Sequence, residues 1–185
     1  MSKIILGFAG HIASGKDVCK KYLMEKYGAG SHRYSTVLRD ILNRLYLPTD
    51  RNNLQNLSLD LRTRFGGDTL ARVIIEDIIR DEREIIVIDG IRRLDDVTSL
   101  TKKFPDLHII GIEVDAKTRY ERLVKRDENI GDAAKTFEQF LADDQKEAEL
   151  EIPTVMAAAE HKISNNGTLE ELYAQIDQII SKIKK

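Results

Sequence analysis

The sequence predicts an α/β fold: three layers, with about five parallel strands and helices on both faces. Three observations predict it. Short apolar runs alternate with stretches of helical periodicity along the chain, the pattern of repeated βα units. Ile85-Ile86-Val87-Ile88 is an unbroken β-branched run, as a strand covered on both faces requires. A glycine-framed segment from Gly10 to Lys16 lies between a strand pattern and an amphipathic helix pattern. With 185 residues, 42% of them hydrophobic and 32% charged, one domain with an ordinary core is expected.

The elements follow in order. Ile4–Ala9 reads as a buried strand, and Lys16–Lys26 as a helix with Val18, Cys19, Tyr22 and Leu23 on one face. His32–Ser35 is the second strand, after which Ser35 or Thr36 caps a helix over Thr36–Leu45. Pro48 punctuates a loop before helices over Leu54–Phe65 and Asp68–Arg80, which Gly66-Gly67 separates. Glu84–Asp89 is the third strand and Leu94–Lys103 the next helix. Pro105 marks the loop before a strand over Leu107–Val114, and a helix over Ala116–Arg126 follows. A helix is expected over Thr136–Leu150, with Pro153 near a further start or break. His161–Ser164 is the last strand. Asn165-Asn166-Gly167 then turns the chain into a helix over Thr168–Ile183, which Thr168 and Glu171 open with capping-box spacing.

Gly10-His11-Ile12-Ala13-Ser14-Gly15-Lys16 has the G-x-x-x-x-G-K spacing of a phosphate-binding loop. The two glycines permit dihedrals and close approach that side chains block. Successive backbone N–H groups then line one concavity for phosphate oxygens. The helix behind aims its unpaired N–H groups at the same anion, and Lys16 brings an ammonium to the outer phosphates. A nucleoside triphosphate is the expected ligand. Asp17 stands where the motif normally has Ser or Thr. Its carboxylate is a candidate ligand for Mg²⁺, a hard cation. Asp in the first turn equally complements the helix dipole.

Asp89 ends the third strand, where open α/β sheets bind ligands. It is a candidate for the Mg²⁺ shell or for positioning the attacking group. Beyond Gly90, Arg92 and Arg93 suit a phosphate clamp, because a guanidinium forks onto two phosphate oxygens. Thr36, Arg39 and Arg62 are further acceptor-side candidates within a helical region of about 36–80. On the helix after the fourth strand, Arg122 and Arg126 share a face four residues apart. With Arg119 they suggest a lid of about 119–135, hinged on the polar loop 127–132, that would close on the transferring charge. His11 occupies a variable position of the loop, open to contact with an anion. His32, His108 and His161 read as core-edge or surface residues, and none has zinc-site spacing.

Several classes are excluded. A net charge of −2 does not suit bulk nucleic-acid binding. The single Cys19 makes neither an intrachain disulfide nor a cysteine-cluster metal site, and it reads as a small buried hydrophobe. No run of about 18 apolar residues is present, so no membrane span is expected. The chain begins without a signal-peptide layout, and a cytoplasmic location is expected.

In these segments the chain resembles the nucleoside monophosphate kinase-like branch of P-loop kinases, which includes adenylate kinase-like enzymes, deoxynucleoside monophosphate kinases and dephospho-CoA kinases. Ser35-Thr36-Val37-Leu38-Arg39 is similar to the acceptor-phosphate segment of that branch, and Asp89-Gly90-Ile91-Arg92-Arg93 to its Asp-Gly-aromatic-Pro-Arg segment. The resemblance gives Arg93 a phosphate-binding role and makes Arg122 and Arg126 the lid arginines. It also brings Asn165 and Gly167 past the adenine ring. Gly15-Lys16-Asp17, Leu54-Gln55 and Phe65-Gly66-Gly67-Asp68 with Arg72 resemble deoxynucleotide kinases. The whole resembles a group of small archaeal-type kinases labelled dephospho-CoA kinase-like. The resemblance implies a Mg²⁺-dependent phosphotransferase in one P-loop NTPase-fold domain over 1–185. Lys16, Asp89, Arg93, Arg122 and Arg126 would serve the transfer. The acceptor would be a small phosphate-bearing molecule, a nucleoside or deoxynucleoside monophosphate, with dephospho-CoA as the alternative. A monomer or homodimer is expected. A reading of another class is a regulatory ATP-binding protein that hydrolyses slowly.

Overall fold

The computed structural model describes residues 3–126, 132–143, 145 and 150–184. Five parallel strands form one sheet: β1 (Ile4–Ala9), β2 (Gly30–Arg33), β3 (Ile85–Asp89), β4 (Leu107–Glu113) and β5 (His161–Ser164). Their order is β2-β3-β1-β4-β5. Among the described residues the helices are α1 (Lys16–Tyr27), α2 (Tyr34–Arg44), α3 (Arg51–Phe65), α4 (Thr69–Arg80), α5 (Leu94–Lys103), α6 (Ala116–Arg126), α7 (Phe137–Asp143), α8 (Ile152–Ala157) and α9 (Leu169–Ile183).

The period of two along β3 divides the core. Ile86 and Ile88 join the cluster of Leu38, Leu70, Ile74, Ile78 and Leu100, beneath α2, α4 and α5. Ile85 and Val87 join Cys19, Leu23, Leu172, Ile176 and Ile180, beneath α1 and α9. Both faces are therefore covered, which is why β3 has no polar side until Asp89. Burial pushes the Cys19 thiol up to about 12, so it stays protonated as a packing residue. The middle strand β1 pairs with β3 on one side and β4 on the other. The loop leaving β1 thus opens where the strand order changes direction, the place where such sheets bind ligands.

Several boundaries differ from expectation. The second strand is Gly30–Arg33 and not His32–Ser35, because its ladder ends where Arg33 pairs with Asp89, the last residue of β3. Ser35 and Thr36 consequently lie inside α2 instead of capping it. α3 starts at Arg51, where the Asp50 side chain accepts from the Asn53 N–H. The helix expected over Thr136–Leu150 is α7 alone within the described residues, since 144 and 146–149 lie outside them. α8 then begins with Pro153 in its first turn, a position that does not need the missing N–H. The capping box of Thr168 and Glu171 forms as its spacing predicts.

Asp81, just past α4, ties that helix to β2. Its carboxylate accepts from Arg83 Nε at 2.7 Å and from Arg83 Nη2 at 2.6 Å, and it lies 3.0 Å from His32 Nε2. The Arg83 hydrogen bonds, helped by His32 and opposed by burial, hold this carboxyl well below its ordinary 3.8. A depressed folded pKa contributes stability above the unfolded value, lost as pH falls through the folded one. Asp81→Asn should therefore destabilise the protein at pH 6. In urea denaturation at stepped pH, the deficit should shrink below about pH 4. A deficit independent of pH would contradict this account.

Candidate active site

α1 begins at the loop. Gly15 adopts a left-handed conformation (φ 97°) to bring the chain into the helix, and a side chain there would collide with Asn165. Asn165 is itself buried and donates from Nδ2 to the Ser14 carbonyl at 2.9 Å. The Asn165–Gly167 turn therefore supports the loop from behind. Lys16 Nζ donates to the carbonyls of Gly10 and His11 at 2.7 and 2.9 Å, and lies 3.4 Å from Ser14 Oγ. The ammonium is thus held across the concavity of its own loop.

In front of the loop lies a cavity of about 540 Å³. Ile12, Ala13, Ser14, Gly15, Lys16 and Asp17 form one wall. Arg33, Tyr34, Ser35, Leu38 and Arg39 enter from the end of β2 and from α2. α3 adds Arg51, Leu54, Gln55, Ser58 and Arg62, and α4 adds Leu70. Asp89, Gly90, Arg92, Arg93 and Asp96 come from β3 and the start of α5, and Arg122 and Arg126 from α6. The chain is acidic overall, yet basic side chains outnumber carboxylates in this cavity. That arrangement focuses positive potential where an anion would sit. Leu38, Leu54 and Leu70 give one side an apolar surface suited to a flat ring.

The sequence reasoning missed Lys20. Its ammonium lies 2.5 Å from Asp17 Oδ1 and 3.3 Å from Asp89 Oδ2. Arg33 Nε lies 3.4 Å from the same Asp89 oxygen, and Arg126 Nη1 3.8 Å from Asp17 Oδ2. Burial opposes the charge on Asp17. The hydrogen bond from Lys20, with the charges of Lys20, Arg33 and Arg126, outweighs burial and holds the carboxyl below its ordinary value. Lys20 responds in the opposite sense: burial disfavours its charge, and the two carboxylates raise its pKa. The position one turn after Lys16 was the available signal, since i and i+4 share a helix face.

Tyr34 and Asp96 were missed as well. Arg62 makes a two-pronged pair with Asp96, at 3.0 and 3.1 Å, and also donates to the Gly67 carbonyl. Much of its bonding capacity is therefore spent within the fold. Even so, Arg62 Nε, Tyr34 Oη and Arg122 Nη1 are buried in the cavity wall without a hydrogen bond. A buried polar group left unmatched is costly, so these three residues hold bonding capacity that the fold itself does not use.

The remaining expected residues divide. Arg39 and Arg93 both line the cavity; Arg39 donates to Ser35 Oγ at 3.0 Å, and Arg93 lies 3.8 Å from Glu151. Thr36 is exposed and lies outside the cavity lining, as do Gly10, His11, Asn165 and Gly167. In the region expected to form a lid, Arg119 is buried over the Phe140 ring and reaches the Ile12 carbonyl at 3.4 Å. Residues 127–131, including most of the expected hinge, lie outside the described residues. No described helix is long and apolar enough to cross a membrane.

No family model matches the chain. A UPF0200 protein of Thermococcus kodakarensis is 32% identical, over 99% of this chain and 100% of that protein. Among solved structures, TT1252 from Thermus thermophilus matches with a TM-score of 0.64 at 19% identity, covering 98% of each chain. Shikimate kinase from Bacteroides thetaiotaomicron matches with a TM-score of 0.63 at 12% identity, covering 98% of this chain and 99% of that one. The two structural likenesses show the fold, a three-layer α/β P-loop NTPase fold with a parallel sheet. They do not extend to the nucleoside monophosphate kinase branch that the sequence resembles.

Proposed function

The chain belongs to the UPF0200 family, and from that premise we propose that it transfers the γ-phosphoryl group of ATP to a small anionic acceptor. One observation carries the reading. The lysine-bearing glycine loop shares a single cavity with arginines from four elements. Loop N–H groups and Lys16 hold the donor phosphates. Arg39 and Arg93 face the acceptor's anionic group, while Arg122 and Arg126 stabilise the transferring charge from α6. Asn165, bonded to the loop at Ser14, and Gly167 are the residues assigned to the adenine side. In the transfer, an acceptor oxygen bonds to the γ-phosphorus as the bond to the ADP oxygen breaks. A phosphate acceptor attacks with an oxygen already deprotonated; a hydroxyl acceptor gives its proton to the Asp89 carboxylate.

A nucleoside or deoxynucleoside monophosphate is the first choice of acceptor, supported by the apolar wall of Leu38, Leu54 and Leu70 beside the arginines. Dephospho-CoA is the alternative. ADP release with ATP and a panel of nucleoside monophosphates, dephospho-CoA and hydroxycarboxylates is the direct test. Stimulation by a member of the panel supports the kinase reading, and Arg39→Ala or Arg93→Ala should then raise KM for that acceptor more than for ATP. ATP hydrolysis indifferent to every acceptor would favour a regulatory NTPase.

Asp17 and Asp89 fit Mg²⁺, since the two carboxylates already share a cation, the Lys20 ammonium. They would hold the ion, which would supply neutralising charge beside the donor phosphates. Asp17→Ala should raise the Mg²⁺ concentration for half-maximal turnover about tenfold. An unchanged Mg²⁺ titration would remove Asp17 from this role.

A further inference from the structure

At the opposite end of the sheet from the cleft, His108, Glu160 and His161 come together. His108 lies at the amino end of β4, and His161 opens β5. His161 is in register with Ile110, two residues after His108. The alternation of side chains therefore puts both imidazoles on one face of adjacent strands. Their ring centroids are 5.8 Å apart. Glu160 spans them: Oε2 is 2.8 Å from His108 Nδ1, and Oε1 is 3.4 Å from His161 Nε2. One ligating atom from each residue lies within 4.8 Å of the others. His161 Nε2 is buried and makes no hydrogen bond, although its Glu160 neighbour is close. An imidazole nitrogen buried without a bond beside a second imidazole and a carboxylate calls for a cation to complete it.

We propose that His108, Glu160 and His161 form a binding site for a divalent transition metal ion of the zinc class. The donor set decides the class. Two imidazole nitrogens and one carboxylate oxygen suit Zn²⁺, Co²⁺ or Ni²⁺, whereas Mg²⁺ and Ca²⁺ prefer oxygen donors throughout. The spacing agrees. A tetrahedral ion with bonds of about 2.0–2.1 Å keeps its ligand atoms about 3.3 Å apart, so the observed separations need only small side-chain movements. Water completes the fourth position. Zinc-site spacing is invisible along the sequence because His108 and Glu160 are 52 residues apart; the β4–β5 pairing alone joins them. The site is remote from the carboxyl ends of the strands, where the cleft opens. Its effect is therefore to clip the edge strand β5 to β4, and not to take part in phosphoryl transfer.

The test uses untagged full-length protein stripped with EDTA. ZnCl₂ is titrated by calorimetry, and CoCl₂ by visible absorption. The expected result is one tightly bound ion per chain, with cobalt bands of a low-coordinate nitrogen–oxygen site and a higher Tm. Glu160→Gln should weaken zinc binding at least about tenfold, and His161→Asn should abolish the cobalt bands. ATP binding should be unchanged in both variants. Asp17→Ala should leave zinc uptake intact, which separates this site from the cleft. Glu160 is exposed, so its variant decides the matter even if His161→Asn fails to fold. No zinc or cobalt uptake by the wild type, or uptake unaltered in Glu160→Gln, would overturn the proposal.

Discussion

Lys16→Met is expected to lower acceptor-stimulated ATP turnover by about 10²–10³-fold or more, the usual cost of removing one preorganised charge-stabilising donor. The side chain that would be lost is fixed in place by contacts to Gly10, His11 and Ser14, so it pays little reorganisation when it meets phosphate oxygens. Methionine keeps most of the length and the apolar stem, which separates loss of charge from loss of packing. Because Lys16 is only partly buried and acts through a charge-assisted contact, Tm should change little. Steady-state ADP release and a thermal melt on the same preparation check both statements. Turnover within about threefold of wild type would mean the loop does not serve donor phosphates.

The second large effect concerns stability. Arg62→Met should cost about 3–5 kcal/mol, because it leaves the Asp96 carboxylate buried without its partner. The side chains of Arg62 and Asp96 are only 9% and 2% exposed. At about 2–4 °C per kcal/mol for a domain of this size, Tm should fall by about 10 °C. Burial pushes the Asp96 carboxyl above its ordinary 3.8, and the Arg62 hydrogen bonds and charge act against that rise. Without Arg62 the folded pKa goes higher still. A raised carboxyl pKa removes stability as pH climbs above the unfolded value, so the deficit of Arg62→Met should be small below about pH 4 and grow toward neutrality. Replacing both residues, as Arg62→Met with Asp96→Leu, should recover most of the loss, since no unpaired charge then remains. Urea unfolding across pH for the single and double variants measures each part. A single variant within about 1 kcal/mol of wild type would show that water reaches Asp96 and screens it.

Arg62 also shows how far a local reading goes. From sequence it is one of several arginines near a glycine pair, equally suited to an acceptor phosphate or to solvent. In the fold it holds Asp96 with both terminal nitrogens while its Nε stays buried without a hydrogen bond. Lys20 carries one local signal, its place one turn after Lys16 on α1. Its partner Asp89 is 69 residues away and comes within reach only because β1 and β3 are neighbours. Ser35 and Thr36 carried a good capping signal, yet the strand ladder ended earlier and drew them into α2.

What the sequence determined by itself was local. The glycine spacing from Gly10 to Lys16, the β-branched run of β3 and the capping box of α9 each act within a few residues, through dihedral freedom, side-chain shape and short-range hydrogen bonding. These suffice for the α/β class and for the phosphate loop. The tertiary structure alone decided which distant charges meet: Lys20 with Asp89, Arg62 with Asp96, and His108 with Glu160 and His161. Those meetings depend on strand order, and strand order follows from burying both faces of the sheet at once, a condition that no short window of sequence contains.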